Sequence, residues 1–234
     1  MNGKQRVIAL ALVALMGMIS GGVLKAQYYY SPEFSIGGHA GMTMSSMAFA
    51  PKVKQSMISG AMFGVTARYT EERFFGLIAE LNLEQRGWKE KFDDGTSFEY
   101  SRSLTYIQIP FMTHFYFGSK KFKGFVNLGP SVSFLIGNKV SSNFNYANPA
   151  AVEGFDIDNR HTSQMSMEIK NKFDYGVVGG AGMELIIKRK HSIMLEARYY
   201  FGLGNIFPSA KKDEFSASRS TSIEVCLGYM FHLK

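Results

Sequence analysis

The stretch SIMLEARYYFG, Ser192–Gly202, sets Ile193, Leu195, Ala197, Tyr199 and Phe201 in strict alternation with Met194, Glu196, Arg198 and Tyr200. A period of two is the period of a β-strand, because successive side chains point to opposite faces. A soluble helix would turn Glu196 and Arg198 to water on one stripe, and the core face of a soluble sheet would reject them. Placing the charges on one face therefore decides the fold.

Three further segments repeat the arrangement. In GLIAELNLEQRGW, Leu77, Ala79, Leu81 and Leu83 oppose Ile78, Glu80, Asn82, Glu84 and Arg86. In FDYGVVGGAGMELII, Phe173, Tyr175, Val177, Ala181, Met183, Leu185 and Ile187 oppose Asp174, Gly176, Gly180, Gly182 and Glu184. In SIEVCLGYMFHL, Ile223, Val225, Leu227, Tyr229, Phe231 and Leu233 oppose Ser222, Glu224, Cys226, Gly228 and His232. No Asp, Glu, Lys or Arg falls on the apolar face of any of the four.

The periodicity predicts eight strands: Phe34–Met44, Met57–Thr70, Phe75–Trp88, Leu104–Phe117, Gly124–Gly137, Lys172–Ile187, Ser192–Gly202 and Ser220–Leu233. They run well beyond the usual strand of soluble sheets, and a tilted strand of ~9–11 residues already crosses a bilayer. Long connections (SSMAFAPKVKQS, KEKFDDGTSFEYSRS, 138–171 and 203–219) take turns with short ones (EER, SKKFK and KRKH). That alternation is expected of an outer-membrane barrel with short periplasmic turns and longer extracellular loops. An even number of strands returns both termini to the short-turn side. The expected fold is thus all-β: an eight-stranded antiparallel up-and-down transmembrane barrel over residues 34–234.

Aromatic residues fall at both strand ends. Tyr69, Phe75, Phe115, Phe117, Tyr229 and Phe231 lie beside the short turns or the C-terminus, and Trp88, Phe173, Tyr175, Tyr199 and Phe201 near the long loops. These are read as two interfacial belts. Pro110 and Pro130 interrupt predicted strands, and bulges or bends are expected there, since proline removes a ladder donor. Glycine-rich VVGGAG is expected to help the barrel curve and leave room for large inward neighbours.

The N-terminus carries Lys4 and Arg6, then the apolar run Val7–Ile19, then small residues before a cleavage site after Ala26. This is the pattern of a secretory signal peptide, residues 1–26, followed by a short periplasmic segment, 27–33. The run is too short for a spanning helix. Lipoprotein processing is excluded by the absence of a cysteine near the cut. Cys226 is the only cysteine of 234 residues, so no intramolecular disulfide framework exists. The formal charge of +7 falls to about +4 without the leader, and with export no nucleic-acid partner is expected.

Inward-facing charges carry the functional question. Arg68, Glu80, Glu84, Arg86, His114, Glu184, Glu196, Arg198 and Glu224 all fall on the lumen face, joined by His39, Gln108 and Tyr200. An eight-stranded barrel is just filled by side chains, so the expectation is a hydrogen-bonded polar plug in which arginines bridge carboxylates. A proton or ion path and a catalytic carboxylate pair are the competing readings. The excess of Glu over Arg calls for protonated carboxyls or for water between them. The loop EGFDIDNRHTSQ gathers Asp156, Asp158, His161 and Ser163, residue types that a rim hydrolase could use. Its Asp spacing continues into Arg160 without a following glycine and so breaks the calcium-loop pattern. No catalytic residue, cofactor or metal site is expected.

YIQIPFMTHFYFG (Tyr106–Gly118), FVNLGPSVSFLIG (Phe125–Gly137), FDYGVVGGAGMEL (Phe173–Leu185), LEARYYFGLGNI (Leu195–Ile206) and the closing LGYMFHLK resemble, in order and spacing, the PorT-like outer-membrane β-barrel family of Bacteroidetes bacteria. The resemblance implies an eight-stranded barrel in the bacterial outer membrane. It implies no single activity, although one branch is associated with gliding and type IX secretion. The chain departs from the common aromatic last residue, since His232, Leu233 and Lys234 follow Phe231. The expected function is structural or interactive, with outer-membrane lipid, the barrel-assembly machinery and proteins at the extracellular loops as partners. An outer-leaflet enzyme acting on lipid or peptide, or a narrow porin-like channel, are the alternatives.

Overall fold

The computed structural model describes residues 32–71, 74–92, 96–155, 157, 160–211 and 213–233. The expected signal peptide, all but two residues of the following segment, Asp156 and Asp158 lie outside the described residues. The strands are β1 (Glu33–Ala50), β2 (Gln55–Ser56), β3 (Ile58–Thr70), β4 (Phe75–Glu90), β5 (Tyr100–Gly118), β6 (Phe122–Ser142), β7 (Phe173–Ile187), β8 (His191–Gly202) and β9 (Ala217–Leu233). Apart from β2, which pairs only with the upper end of β4, each long strand pairs antiparallel with its neighbours in the chain, and β9 returns to β1. The eight long strands close into a ring, and closure removes the free edges that an open sheet would present.

Side-chain parity holds around the ring. Ile193, Leu195, Tyr199 and Phe201 are exposed on the outer surface, while Met194, Glu196, Arg198 and Tyr200 are buried inside. Leu81 and Leu83 on β4, Phe111 and Phe115 on β5, Met183 and Leu185 on β7, and Val225 and Leu227 on β9 continue the same outward apolar band. Lipid is the solvent that such a band requires.

Several strands extend further than their periodicity predicts. β1 runs to Ala50 rather than Met44, β5 begins at Tyr100 rather than Leu104, and β6 reaches Ser142 rather than Gly137. The cause on β1 and β5 is an inversion of polarity at constant parity, and β6 follows β5 through a one-residue shift of register. On β5 the outward residues change from Phe111, Ile109 and Ile107 to Thr105, Ser103 and Ser101. The inward residues change the other way, from His114 and Gln108 to Tyr106, Leu104 and Tyr100. Where lipid lies outside, polar groups face in; beyond the lipid, water lies outside and the apolar groups face in. Outward Gln85 and Lys89 mark the same boundary on β4, so Glu90 lies above the membrane-spanning segment.

Above that boundary the inward apolar side chains join the long connections in a conventional core. Met47, Phe49, Trp88, Tyr100, Leu104, Tyr106, Met165, Ile206, Phe207 and Phe215 pack together over the barrel mouth. Phe49 stands edge-on to Trp88 at 5.4 Å and stacks on Phe207 at 6.2 Å between ring centroids. Trp88 therefore belongs to this core and not to the interfacial belt that its place near a strand end suggests. It is wholly buried in this cap, as its even position on β4 requires. Of the other belt aromatics, Tyr69, Phe115, Phe117, Phe173, Tyr175, Tyr199, Phe201 and Tyr229 are exposed on the outer surface, and Phe75 and Phe231 are half-buried.

The prolines also differ from expectation. Pro110 pairs with Ser131, and the ladder resumes at Thr113 with Leu128 in unchanged register. Pro130 holds its place opposite Val177. The missing amide protons leave gaps between β5 and its neighbours without a bulge. The register shift between β5 and β6 lies instead at Thr105/Tyr106, at the level where the polarity inverts.

Candidate functional site in the barrel lumen

All nine lumen residues singled out from the sequence are buried and inward-facing: Arg68, Glu80, Glu84, Arg86, His114, Glu184, Glu196, Arg198 and Glu224. They form three clusters stacked along the barrel.

The middle cluster is centred on Arg198 of β8. Its Nη1 donates to Glu80 Oε2 at 2.6 Å and its Nη2 to Glu80 Oε1 at 2.8 Å, a two-pronged bond to β4 across the lumen. Nη2 also donates to Glu196 Oε2 at 2.8 Å. Asn82 Nδ2 donates to Glu80 Oε2 at 3.0 Å, and Asn127 Nδ2 to Glu196 Oε1 at 2.7 Å. Asn127 in turn engages His114 Nδ1 at 2.7 Å, while His39 lies 3.8 Å from Glu80. Paired arginine–carboxylate forks are the arrangement in which charges persist out of water.

Nearer the long loops, the Arg86 guanidinium lies between the rings of Tyr106 and Tyr200, 4.3 and 4.2 Å from their centroids. It donates to Asp174 at 3.3 Å and to Ser133 at 2.9 Å, and lies 3.2 Å from Glu84. Beside it, the Ser222 hydroxyl is within bonding distance of both Glu84 (3.2 Å) and Glu224 (3.0 Å). One hydroxyl proton serves only one of them at a time. Among the described residues, the Oε2 atoms of Glu84 and Glu224 have no hydrogen-bond partner.

Nearer the short turns, Arg68 of β3 forks onto Glu184 of β7 at 2.7 and 3.1 Å. Ser192 donates to Glu184 at 2.5 Å and lies 3.1 Å from His232 Nε2. His232 Nδ1 contacts Glu33, and so joins the first strand to the last beside the seam. Serine, imidazole and carboxylate in this order have the layout of an activated nucleophile. The hydrogen bonding argues otherwise. The Ser192 hydroxyl donates to Glu184, whose oxygens already accept from Arg68, so it does not donate to His232.

Six carboxylates (Glu80, Glu84, Asp174, Glu184, Glu196 and Glu224) thus face three guanidinium groups at membrane level. The interior is filled: Met62, Met112, Glu84 and Tyr200 are each 0% exposed. Glycines on the inward face of β7 make room for it. A Cβ on Gly180 would lie 2.8 Å from both Arg198 Cγ and Glu196 Oε1.

The sequence places Asp174 on the polar face without marking it as a member of the network, and it does not distinguish Ser133, Ser192 or Ser222 as members. Short polar residues on a polar face look alike until the barrel brings distant strands together. The rim residues His161 and Ser163 do not bond one another. Ser163 donates to Glu214, and the His161 ring lies 6.5 Å from that of Phe215. Above the bilayer, Glu90 Oε1 accepts from Trp88 Nε1 at 3.1 Å and Gln164 Nε2 at 3.0 Å. Burial raises the Glu90 carboxyl above its ordinary pKa against the pull of these two bonds. Among the described residues no group of three or more His, Cys, Asp or Glu is arranged to hold a metal ion.

A closed antiparallel ring with a lipid-facing band and a salt-bridged interior defines a small integral β-barrel. The outer membrane protein beta-barrel domain family matches residues 25–208, and the chain belongs to that family. It is accordingly an outer-membrane protein. Among solved structures it is similar in fold to the outer membrane protein OprG from Pseudomonas aeruginosa, at 14% identity and a TM-score of 0.51, covering 87% of this chain and 96% of that one. Neisserial surface protein A matches at 11% identity and a TM-score of 0.47, over 86% of this chain and 99% of the other. The outer membrane enzyme PagL matches at 12% identity and a TM-score of 0.35, over 81% and 97%. No curated protein sequence matches the chain.

Proposed function

We propose that this protein is a non-enzymatic outer-membrane barrel of structural or interaction type, sealed by its own side chains, with the long-loop end as its binding surface. The observation that carries this reading is the filled lumen, whose arginines are committed to carboxylates of opposite strands. Such a plug stabilises a barrel and leaves no open path for solute. In the orientation usual for the class, the long loops face outward and the short turns face the periplasm. Residues 1–26 direct export, and the barrel-assembly machinery inserts the chain through its C-terminal GYMFHL. A role in protein secretion is the narrower version of the proposal, and the resemblance to PorT-like barrels is its support.

The channel and enzyme readings are separated from this one by two measurements. In planar bilayers, the folded protein is expected to give no steady conductance; stepwise openings would overturn the sealed-lumen reading. Incubation with a serine-directed fluorophosphonate is expected to leave Ser163 and Ser192 unlabelled, and stoichiometric labelling of either would make the protein an enzyme. Crosslinking in living cells from cysteines placed at loop positions Asn145 or Ser209 then identifies the partner.

A further inference from the structure

The short-turn end carries a compact cationic patch that the lumen and the loops do not use. The β5–β6 turn contributes Lys120 and Lys121, and the β7–β8 turn Lys188, Arg189 and Lys190, all exposed. The two turns are adjacent, because β6 pairs with β7 and the Ile186 amide donates to Lys121 O at 2.8 Å. None of the five cations has a carboxylate within ion-pair distance among the described residues. The nearby Glu184 and Glu33 are engaged by Arg68 and His232.

The backbone supplies a second observation. Lys188 and Arg189 have φ of 51° and 62°, with the Lys190 amide returning to Ile187 O at 3.3 Å. Two central residues in the left-handed region form a turn for which Asn-Gly is the favoured sequence. Long side chains there are strained, and strain retained in a tight turn points to a use for the residues that bear it. The surroundings indicate that use. Phe117 and Phe122 flank the first turn and are exposed on the outer surface, and Ile187 precedes the second. The cations therefore stand at the headgroup level of the leaflet in which those rings are immersed.

We infer that Lys120, Lys121, Lys188, Arg189 and Lys190 bind the phosphates of anionic phospholipid in the leaflet at the short-turn end, with Phe117 and Phe122 against its acyl chains. In the orientation proposed above this is the periplasmic leaflet, but the lipid measurement does not depend on which side the turns face. A failure here is therefore distinct from a failure of the orientation.

The test uses the full folded protein in mixed micelles holding equal phosphatidylglycerol and phosphatidylcholine, with retained lipid counted by native mass spectrometry. Wild type is expected to retain phosphatidylglycerol preferentially, and each cation removed lowers that preference by up to about fivefold at low salt. The variant pair Lys188→Asn and Arg189→Gly relaxes the turn, so it folds at least as well while losing preference. Lys120→Ser with Lys121→Ser tests the other half. Equal retention of both lipids by wild type would overturn the inference, as would an unchanged ratio in the fourfold variant. Full displacement by inorganic phosphate would make the patch a free-anion site and overturn it too. So would loss of binding to peptidoglycan sacculi in the fourfold variant with the lipid ratio intact.

Discussion

Arg198 and Glu80 stand on opposite strands of the ring, and the two-pronged bond between them crosses its full width at 2.6 and 2.8 Å. Three strands lie between β8 and β4 either way around, and the same is true of Arg68 on β3 and Glu184 on β7. Replacing Arg198 with Met leaves Glu80 and Glu196 buried without their cation. Breaking a buried pair in this way costs about 3–5 kcal/mol, and we expect R198M to lower the temperature of the heat-modifiable gel shift with no gain in conductance. Adding Glu80→Gln should recover part of the loss. An unchanged transition in R198M would remove the crossing bond from the account of stability.

Gly180 supports that bond from β7. With only 2.8 Å between a new Cβ and either Arg198 Cγ or Glu196 Oε1, Gly180→Ala must displace the guanidinium. Overpacking of this kind costs about 1–3 kcal/mol. The loss should shrink, without vanishing, when G180A is built into R198M, because Glu196 Oε1 and the Ala197 carbonyl oxygen at 2.9 Å still crowd the new Cβ; fully additive losses in that double-mutant comparison would show the two sites to be independent.

The cap should open without the barrel. Phe207 is wholly buried among Phe49, Trp88 and Phe215, and truncating a buried Phe to Ala costs about 3–5 kcal/mol. Trp88 is the only tryptophan, so its emission reports the cap alone. F207A is expected to red-shift Trp88 at lower urea, while the gel shift of the membrane-embedded ring stays at its wild-type temperature.

Glu90 makes the cap sensitive to pH. Its pKa is raised in the folded cap by burial, so the folded state holds the proton more tightly than the open one. That contribution is complete below the ordinary carboxylate range and is lost as pH rises through the raised value. Trp88 in wild type should therefore need less urea to red-shift at pH 8 than at pH 4. Glu90→Gln keeps an oxygen for Trp88 and Gln164 and should flatten the dependence; an equally steep profile in E90Q would assign it elsewhere.

How much of this is legible in the sequence depends on what lies on either side of a strand. Between Leu77 and Leu83, or Ile193 and Phe201, lipid and lumen are chemical opposites, and the alternation states both the strand and its facing. Beyond Tyr106 on β5 the same parity carries reversed polarity, so Tyr100–Ser103 read as loop although the strand continues. Trp88 misleads for the same reason, because its position near a strand end suggests an interfacial belt while its parity places it inside. Which lumen residues meet is not written locally. Arg68 finds Glu184 at a separation of 116 residues, through the stagger of eight strands. The prolines kept register because a gap in one ladder is held by the pairs on either side.

The opposed pairs across the lumen constrain how the chain enters the membrane. While β1 and β9 are apart, Arg68 and Arg198 are parted from Glu184 and Glu80 across the lumen, and one open face of the sheet carries six carboxylates and three guanidinium groups. No stepwise laying of strands into lipid can tolerate that surface. Insertion and closure must coincide, or the polar face must be sheltered until they do, so the mutual neutralisation that seals the mature interior also makes the barrel's birth a single event.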